Sequence, residues 1–508
     1  MHFSRRFILS LVLTSASLSA VAAERIDYDI DDDGLIEIED LQDLNEIRNN
    51  ITDRNGSKLI KGDRLYGSND GCPASGCIGY ELSAHLNLDS NGNDELDEAD
   101  AFWNNGEGWA PIGSFTEKFV GQFNGNGYGI SGLSMNRPGQ AFSGLFAYAE
   151  QAYFHDLALQ GDFIVGRESG ALLGYSWQSR FENLQLHVSV SGEASDTCEV
   201  RCEPDYIGGV VGVADESQYS GIMLKGQVSG RDRVGGITGQ EIANASSYLK
   251  DSAIQVEVSG NDIIGGLAGN ITSSDVQRVA VVSKVTGRTA LGGLFGTAES
   301  STVNNALVLG SVMGTESLWI KAGGIAGSIS DLDAENVISL VSLPADPNED
   351  HFYGGLVGES SSSSFLTSYW ARDNANTSDS HGRQSSGSYM MNYDVVDFKC
   401  AHASGDHCNS LVFTGFDSAL NTEKQALWGF GNNTQLPTMV LASGRYTDQD
   451  ENGEFDEWPD FPAEQPLEEP KKGKSNKSGL GAFYFVLLAV PLLMVRRRNQ
   501  SWKVSELG

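Results

Sequence analysis

Apolar and polar residues alternate in several stretches along the middle of the chain, which is typical of half-buried β-strands. In one stretch, Leu184, Leu186, Val188 and Val190 alternate with polar residues before a glycine, Gly192. The same alternation precedes two further glycines, with Ile254, Val256 and Val258 before Gly260, and Val279, Val281 and Val285 before Gly287. No segment of about ten residues between these stretches shows the apolar spacing of an α-helix. The pattern therefore predicts an all-β fold with a tight turn at each glycine.

A short Gly-Gly-apolar motif recurs between these strands, and successive close copies start 27, 30, 27, 31 and 31 residues apart. The glycine pairs that open the six copies are Gly208 and Gly209, Gly235 and Gly236, Gly265 and Gly266, Gly292 and Gly293, Gly323 and Gly324, and Gly354 and Gly355. Two degenerate copies begin at Ser143 and Ser169. Repetition at a nearly fixed period indicates that one structural unit is repeated along the chain.

A unit of about 30 residues cannot bury its apolar face alone, and it is too short for a β-sandwich. Stacked units solve this problem, because strands ~4.8 Å apart form continuous parallel sheets around one core. We therefore predict a parallel β-helix (β-solenoid) of ~30-residue coils, right-handed because parallel crossovers are. The glycines suit corners with positive φ and places where coils approach closely.

The repeat array resembles the GLUG-motif repeats of bacterial surface proteins, which include adhesins and IgA-specific metalloendopeptidases. The flanks are similar too: Trp109–Gly113 and Phe119–Tyr128 resemble the segment that leads into such arrays, and Ser368–Trp370 and Trp428–Gly431 the segment that closes them. The resemblance covers roughly residues 100–440. It implies an adhesin-like repeat scaffold exposed at the cell surface, and it specifies no ligand.

Both ends of the chain resemble targeting segments. Arg5 and Arg6 precede an apolar stretch that ends in small residues, as in a signal peptide, and the same residues resemble a twin-arginine signal. Near the other end, the apolar run Leu480–Val495 precedes three arginines. Its sixteen residues would span ~24 Å as a helix, slightly less than a bilayer core. The length and apolar character of this tail indicate a transmembrane helix. The tail also resembles the GlyGly-CTERM class of sorting signals, which is cleaved before the protein is displayed at the surface of Gram-negative bacteria. Both interpretations remain open.

These features divide the chain into predicted segments. They are a signal peptide (1–23), an N-terminal cap with a short helix (24–108), the repeats (109–370), a C-terminal cap (371–445), an acidic motif and Pro/Lys-rich linker (446–478), a membrane or sorting tail (479–498) and a cytoplasmic tail (499–508).

Net charge and cysteine content limit the classes of function and of bonding that the chain can have. The net charge of −34 argues against binding to DNA or RNA, because phosphates would be repelled. Six cysteines fall in three local pairs, which in an exported protein predicts three small-loop disulfides: Cys72 with Cys77, Cys198 with Cys202, and Cys400 with Cys408. A zinc site at the last pair, beside His402 and His407, remains an alternative.

Three acidic loops predict structural calcium sites. The first follows EF-hand spacing, with Asp29, Asp31, Asp33 and Glu37, and Asp40 at position twelve. A short helix, Ile38–Ile47, is expected to follow it. The second loop repeats the pattern near the C-terminus, with Pro459 at position twelve and the ligands Asp448, Asp450, Asn452 and Asp456. The third fits less well and contains Asp89, Asn91, Asn93 and Asp100.

Motifs for catalysis are scarce. The sequence contains no H-E-x-x-H zinc motif, no G-x-S-x-G elbow and no P-loop. We therefore expect a non-catalytic scaffold that binds an extracellular protein, glycan or matrix ligand, with the insertion 193–206 as the best contact loop. A carbohydrate-active β-helix enzyme (polysaccharide lyase or hydrolase) is the alternative, and acidic or basic side chains converging in a groove would favour it. A passive envelope component without a ligand is a third interpretation.

Overall fold

The structure is a computed structural model of the 508-residue chain. It describes residues 27–49, 51, 71–73, 76–93, 95–195, 203–243, 247–315, 319–345, 350–384, 392–399, 413, 416, 419–430 and 434–462. The predicted signal peptide, the C-terminal tail and the cysteines at 198, 202, 400 and 408 lie outside these residues, as do His402 and His407.

Nearly all regular structure is β. The first strands are β1 (Leu35–Ile38), β2 (Gly79–Leu82), β3 (Leu86–Asn87), β4 (Gln122–Asn124), β5 (Gly129–Arg137), β6 (Phe146–Glu150), β7 (Tyr153–Val165), β8 (Leu173–Trp177) and β9 (Arg180–Gly192). The next are β10 (Ile207–Gly208), β11 (Val211–Asp215), β12 (Gln218–Ser229), β13 (Asp232–Gly235), β14 (Thr238–Ile242), β15 (Tyr248–Ser259), β16 (Asp262–Gly265), β17 (Ala268–Thr272), β18 (Asp275–Gly287), β19 (Ala290–Gly292), β20 (Phe295–Gly314), β21 (Lys321–Gly323), β22 (Ala326–Ser339), β23 (Phe352–Gly354) and β24 (Val357–Ser361). The last are β25 (Ser364–Leu366), β26 (Tyr369–Trp370), β27 (His381–Gln384), β28 (Trp428–Gly429), β29 (Thr438–Leu441) and β30 (Gly444–Tyr446).

Helices are few and short in the described part of the chain. They are α1 (Leu41–Glu46), α2 (Arg372–Ala375) and the 3₁₀ turns Ile47–Asn49, Asn104–Gly106 and Val395–Phe398. None of these helices has the length and apolar character that crossing a membrane requires.

The strands stack in parallel from coil to coil, which confirms the predicted parallel β-solenoid. The long strands β7, β9, β12, β15, β18 and β20 pair in sequence order, each with the next. Inward-facing residues such as Leu186, Leu224 and Ile254 occupy the same register position in successive coils and are buried. Burial of these stacked apolar rows supplies the core that a single unit lacks.

The Gly-Gly motif forms a ladder along one corner. The first glycines, from Gly208 to Gly354, pair in register through the short strands β10, β13, β16, β19, β21 and β23. The second glycines are needed because a Cβ atom at Gly236 would lie 2.2 Å from the carbonyl oxygen of Gly266 in the next coil. None of the motif glycines, all of which the structure describes, has positive φ. Close approach of coils, and not a left-handed corner, therefore explains the motif.

The solenoid already begins within the segment predicted as an N-terminal cap. Strand β1 pairs in parallel with β2, β2 with β4, and β4 with β7. The parallel sheet therefore extends from Leu35, and the predicted boundary at residue 109 does not interrupt it. The short helix α1 begins at Leu41 rather than at Ile38, because Leu35–Ile38 is taken up by the first strand.

The C-terminal segment (residues 419–430 and 434–462) packs on the outer face of the long strands. Strands β28, β29 and β30 form a small antiparallel sheet, and Trp428, Met439 and Tyr446 from it join a second apolar cluster. The other side of that cluster comes from outward-facing residues of the long strands, such as Ala280 and Leu309. These strands are thus covered on both faces where the segment lies.

Candidate cation site and polar groove

The first acidic loop folds around its own carboxylates. Asp29 accepts a hydrogen bond from the backbone N–H of Gly34 (2.9 Å), Asp31 from Asp33 (3.2 Å), and Asp33 from Leu35 (2.7 Å). Gly34 has a φ of +93°, a backbone conformation that would be strained in a residue with a side chain. Carboxylate oxygens of Asp29, Asp31 and Asp33 come within 4.8 Å of one another, so the predicted spacing does bring these three ligands together.

A carboxylate that the sequence did not indicate joins this loop. The parallel register of β1 and β2 places Glu81 directly beside Glu37, and oxygens of Asp31, Glu37 and Glu81 also lie within 4.8 Å of one another. Glu37 and Glu81 are each 5% exposed. In the sequence, the single sign that Glu81 belongs to this carboxylate group is its position between apolar neighbours in 79–82. The register of β1 and β2, which brings Glu81 beside Glu37, cannot be read from local spacing.

Asp40 does not join the cluster, so its assignment as a ligand is corrected. Its carboxylate caps α1 by accepting the backbone N–H groups of Gln42 (2.8 Å) and Asp43 (2.9 Å). The physical reason is β1: its four residues are extended, at about 3.3 Å per residue, and carry the chain away from the loop before Asp40 is reached.

The electrostatics of the first loop are unfavourable without a counter-charge. Asp29 is fully buried, and its Oδ1 atom has no hydrogen-bond partner among the described residues. Burial raises the pKa of Asp29 above its usual value. Burial, with the charges of Asp33, Asp31 and Glu37, raises the pKa of Glu81 to about 7. The site concentrates negative charge that a cation would neutralise.

The C-terminal acidic loop gathers three of its predicted ligands. Oxygens of Asp448, Asp450 and Asp456 lie within 4.8 Å of one another. The two oxygens of the buried Asp448 accept backbone N–H groups from Asn452 (3.0 Å) and Gly453 (2.9 Å). The oxygen Oδ1 of Asn452 accepts from the backbone of Glu454 (2.8 Å), so this amide stabilises the turn.

The middle loop is held by internal hydrogen bonds. Asp89 accepts three backbone N–H groups, and the amides of Asn91 and Asn93 both donate to Asp97, at 2.9 and 3.0 Å. Asp100 accepts the backbone N–H of Ser90 (3.1 Å). Its predicted ligands are thus occupied in building the turn.

A disulfide joins Cys72 to Cys77, with their Cα atoms 5.2 Å apart. Cys77 Sγ lies 3.8 Å from Oδ2 of Asp29, so the bridge borders the first acidic loop. The other two predicted disulfides remain predictions.

The insertion proposed as a contact loop is anchored at its end. Asp205 lies between two arginines of neighbouring coils, 3.0 Å from Arg167 and 2.7 Å from Arg231. Its side chain is 8% exposed. Residues 203–206 therefore belong to the solenoid, and only 196–202 lie outside the described residues.

A polar groove of about 680 Å³ crosses the outer face of the long strands. Two rows of side chains form its floor, each member at the same register position as the next. The rows are Ser134, Asp162, Ser189 and Gln227, and beside them Gln160, His187 and Lys225. One wall is the middle acidic loop, which contributes Asp89, Glu95 and Asp100. No sequence signal marks these rows, because each residue is simply the outward position of its strand.

His187 in the floor is held from the C-terminal segment. Its Nε2 atom accepts the indole N–H of Trp458 over 3.0 Å. Because an indole nitrogen only donates, this contact requires Nε2 to be unprotonated. This hydrogen bond thus fixes the orientation of the imidazole ring.

No family model matches the chain, and the relatives described next share part of its length. A "Putative Gly-rich membrane protein" of Evansella cellulosilytica is 41% identical over 70 residues, which are 14% of this chain and 8% of that protein. Halomucin of Haloquadratum walsbyi is 32% identical over 137 residues, 26% of this chain and 1% of that protein. The matched segments thus span a small part of both relatives. Among solved structures, a "putative immunoglobulin A1 protease" from Bacteroides ovatus has a TM-score of 0.32 and 13% identity, over 66% of this chain and 84% of that one.

Proposed function

We propose that this protein is an exported, non-catalytic surface solenoid that binds a neutral glycan in the groove of its long-strand face. The observation that carries the proposal is the pair of polar rows in the groove floor. Serine, glutamine, aspartate and lysine side chains supply hydrogen-bond donors and acceptors at each coil. A polymer of hydroxylated units can use such a repeating set along its length.

Size and charge support this ligand class. The groove volume of about 680 Å³ lies within the usual range of ligand sites. The acidic side chains of Asp89, Glu95, Asp100 and Asp162 disfavour a polyanionic ligand. Among the described residues that line it, the groove has no aromatic anchor other than the engaged His187. This disfavours a protein partner, since protein interfaces depend on buried aromatic or aliphatic anchors.

Location at the cell surface is supported by the signal-like N-terminus and by the resemblance of the repeats to surface adhesins. The Evansella relative is named as a membrane protein, in agreement with an envelope location. The apolar run and arginines near the C-terminus add either an anchor or a processed sorting tail to this proposal.

A carbohydrate-active enzyme is the second candidate, because Asp162 and Lys225 share the groove with the acidic wall. Such groups can serve as general acids and bases when they face a bound sugar. We favour binding without catalysis because these charged groups are already engaged. Asp89 and Asp100 accept backbone N–H groups of their own loop, and the ammonium of Lys225 lies 3.5 Å from the carboxylate of Glu454.

Glycan binding can be measured by calorimetry with cello-, malto- and manno-oligosaccharides and with an oligogalacturonate. We expect at least one neutral oligosaccharide to bind, and the variant Gln160→Ala/Asp162→Ala to weaken that affinity at least tenfold. Glu335→Ala is the matched control, since Glu335 is an exposed acidic residue of the later strand β22 and does not line the groove. Failure of every neutral sugar to bind contradicts the proposal. Release of new reducing ends or unsaturated products would favour the enzyme instead.

A further inference from the structure

We propose that the first acidic loop and strand β2 together bind one Ca²⁺ ion, with Asp29, Asp31, Asp33, Glu37 and Glu81 as its ligand set. Two groups of carboxylates meet here and share Asp31, one from the loop and one from the paired strands β1 and β2. The ion would therefore join two consecutive coils at the start of the solenoid.

The strongest observation is the state of Asp29. Its carboxylate is fully buried, Oδ2 accepts the N–H of Gly34, and Oδ1 has no hydrogen-bond partner among the described residues. A buried charged oxygen without a partner costs far more than a neutral group would. A cation in contact with the cluster removes that cost, because it supplies both charge and coordination.

The donor set decides which cation fits. Every ligand candidate is a carboxylate oxygen, and the adjacent cysteine, Cys77, is in a disulfide. Oxygen-only sites are typical of hard cations, whereas zinc prefers nitrogen and sulfur ligands. Calcium accommodates a large and irregular oxygen set better than Mg²⁺, which demands a tight octahedron.

Glu81 separates this site from a simple acidic turn. A loop that only needed its carboxylates to build a turn would resemble the middle loop, in which Asp89 accepts three backbone N–H groups. Glu81 lies on another strand and contributes nothing to the turn of 29–34, yet it is 5% exposed beside Glu37. Its partner in the third coil, Asn124, donates one hydrogen bond to it at 3.1 Å and carries no charge.

The C-terminal loop provides the internal comparison. Both oxygens of its buried Asp448 are engaged by backbone N–H groups, so no buried oxygen of that aspartate calls for an ion. Calcium binding at this loop is therefore supported by its sequence pattern and the proximity of its carboxylates, without a buried oxygen that lacks a partner.

The test uses the full chain, freed of metal with EDTA and titrated with CaCl₂ or MgCl₂ alone. Binding is followed by hydrogen exchange, residue by residue. We expect Ca²⁺ to slow amide exchange in 28–38 and 79–82 at submillimolar concentration, and Mg²⁺ to act only at much higher concentration. Glu81→Gln should weaken the calcium effect at least tenfold while the metal-free variant stays folded. Asp97→Asn, in the middle loop, is the matched control and should leave the effect unchanged.

Three outcomes would overturn the inference. They are unchanged exchange at 28–38 in saturating calcium, calcium protection confined to 448–456, and an undiminished effect in Glu81→Gln. The variant Asp29→Asn gives a second check. In the metal-free protein it should not lower the unfolding temperature. With calcium present, it should abolish the rise in unfolding temperature that calcium causes in the parent chain.

Discussion

Trp458 donates its indole N–H to Nε2 of His187 over 3.0 Å, and this bond fastens the C-terminal segment to the floor of the groove. The neighbouring contacts are of the same kind: Gln185 donates to the carbonyl oxygens of Pro459 and Asp460, both at 3.1 Å. The segment therefore holds to the solenoid by polar contacts at its edge as well as by its apolar cluster.

Replacing Trp458 with Phe removes this hydrogen bond and keeps most of the ring. We expect a loss of about 1 kcal/mol in the free energy of unfolding, and faster amide exchange in 454–461. Trp428→Phe is the matched control, since the buried Nε1 of Trp428 has no hydrogen-bond partner among the described residues. Urea unfolding measures both variants, and an equal loss in the two would contradict the role of the bond to His187.

Glu241 should make the stability of the solenoid depend on pH. Burial raises its pKa to about 8, against partial compensation by Ser247 and the N–H of Ser217. The folded state therefore keeps a proton that the unfolded state releases near pH 4.5. The contribution of Glu241 to stability is fully present below about pH 4.5, and it is lost as the pH rises towards 8.

The variant Glu241→Gln removes the ionisation and should flatten this part of the stability profile. Urea unfolding at a series of pH values between about 5 and 9 compares it with the parent chain. Glu257→Gln, at an exposed position, should keep the slope of the parent. Because Glu81 has a pKa of about 7, part of the slope below that pH should remain in Glu241→Gln. An undiminished slope between about pH 7 and 8 would assign the pH dependence to another group.

The second glycine of each motif should tolerate no side chain. Gly236→Ala places a Cβ atom 2.2 Å from a backbone carbonyl of the next coil, which cannot move aside cheaply. We expect a loss of about 1–3 kcal/mol or more, the usual cost of overpacking. In Gly429→Ala the nearest atom is the tip of the Arg445 side chain at 3.1 Å, so that variant should stay close to the parent. Thermal unfolding distinguishes them, and similar melting temperatures would refute close approach as the reason for the motif.

The ion pairs of the buried Asp205 should contribute measurably to stability. Asp205→Asn weakens its charge-assisted bonds to Arg167 and Arg231, with an expected loss of about 1–3 kcal/mol. Glu203→Gln is the matched control, since the half-exposed carboxylate of Glu203 lies 3.5 Å from Arg231 and should contribute little. Thermal unfolding compares the two variants, and equal melting temperatures would show that the anchor is dispensable.

The solenoid could be predicted from the sequence because its two main signals repeat: Val-rich alternation and the glycine pair recur in each coil. The packing of the C-terminal segment was missed, although the continuous run Val279–Val282 is a sign of a strand buried on both faces. In the acidic loop, spacing identified the local ligands but misassigned Asp40 and missed Glu81. Spacing along the chain brings the carboxylates of Asp29, Asp31 and Asp33 together. Glu81 lies beside them because of the register between β1 and β2, which sequence spacing does not determine.

The in-register ladder of first glycines has a consequence for how such a chain can vary in length. Since Gly235 stacks on Gly208 and Gly265 on Gly235, gain or loss of one entire coil leaves every remaining pairing as it was. A change of a single residue within a long strand would turn its apolar side chains outwards from that point to the end of the strand. Insertions and deletions compatible with folding should therefore come as whole coils, or as extensions of the turns between strands.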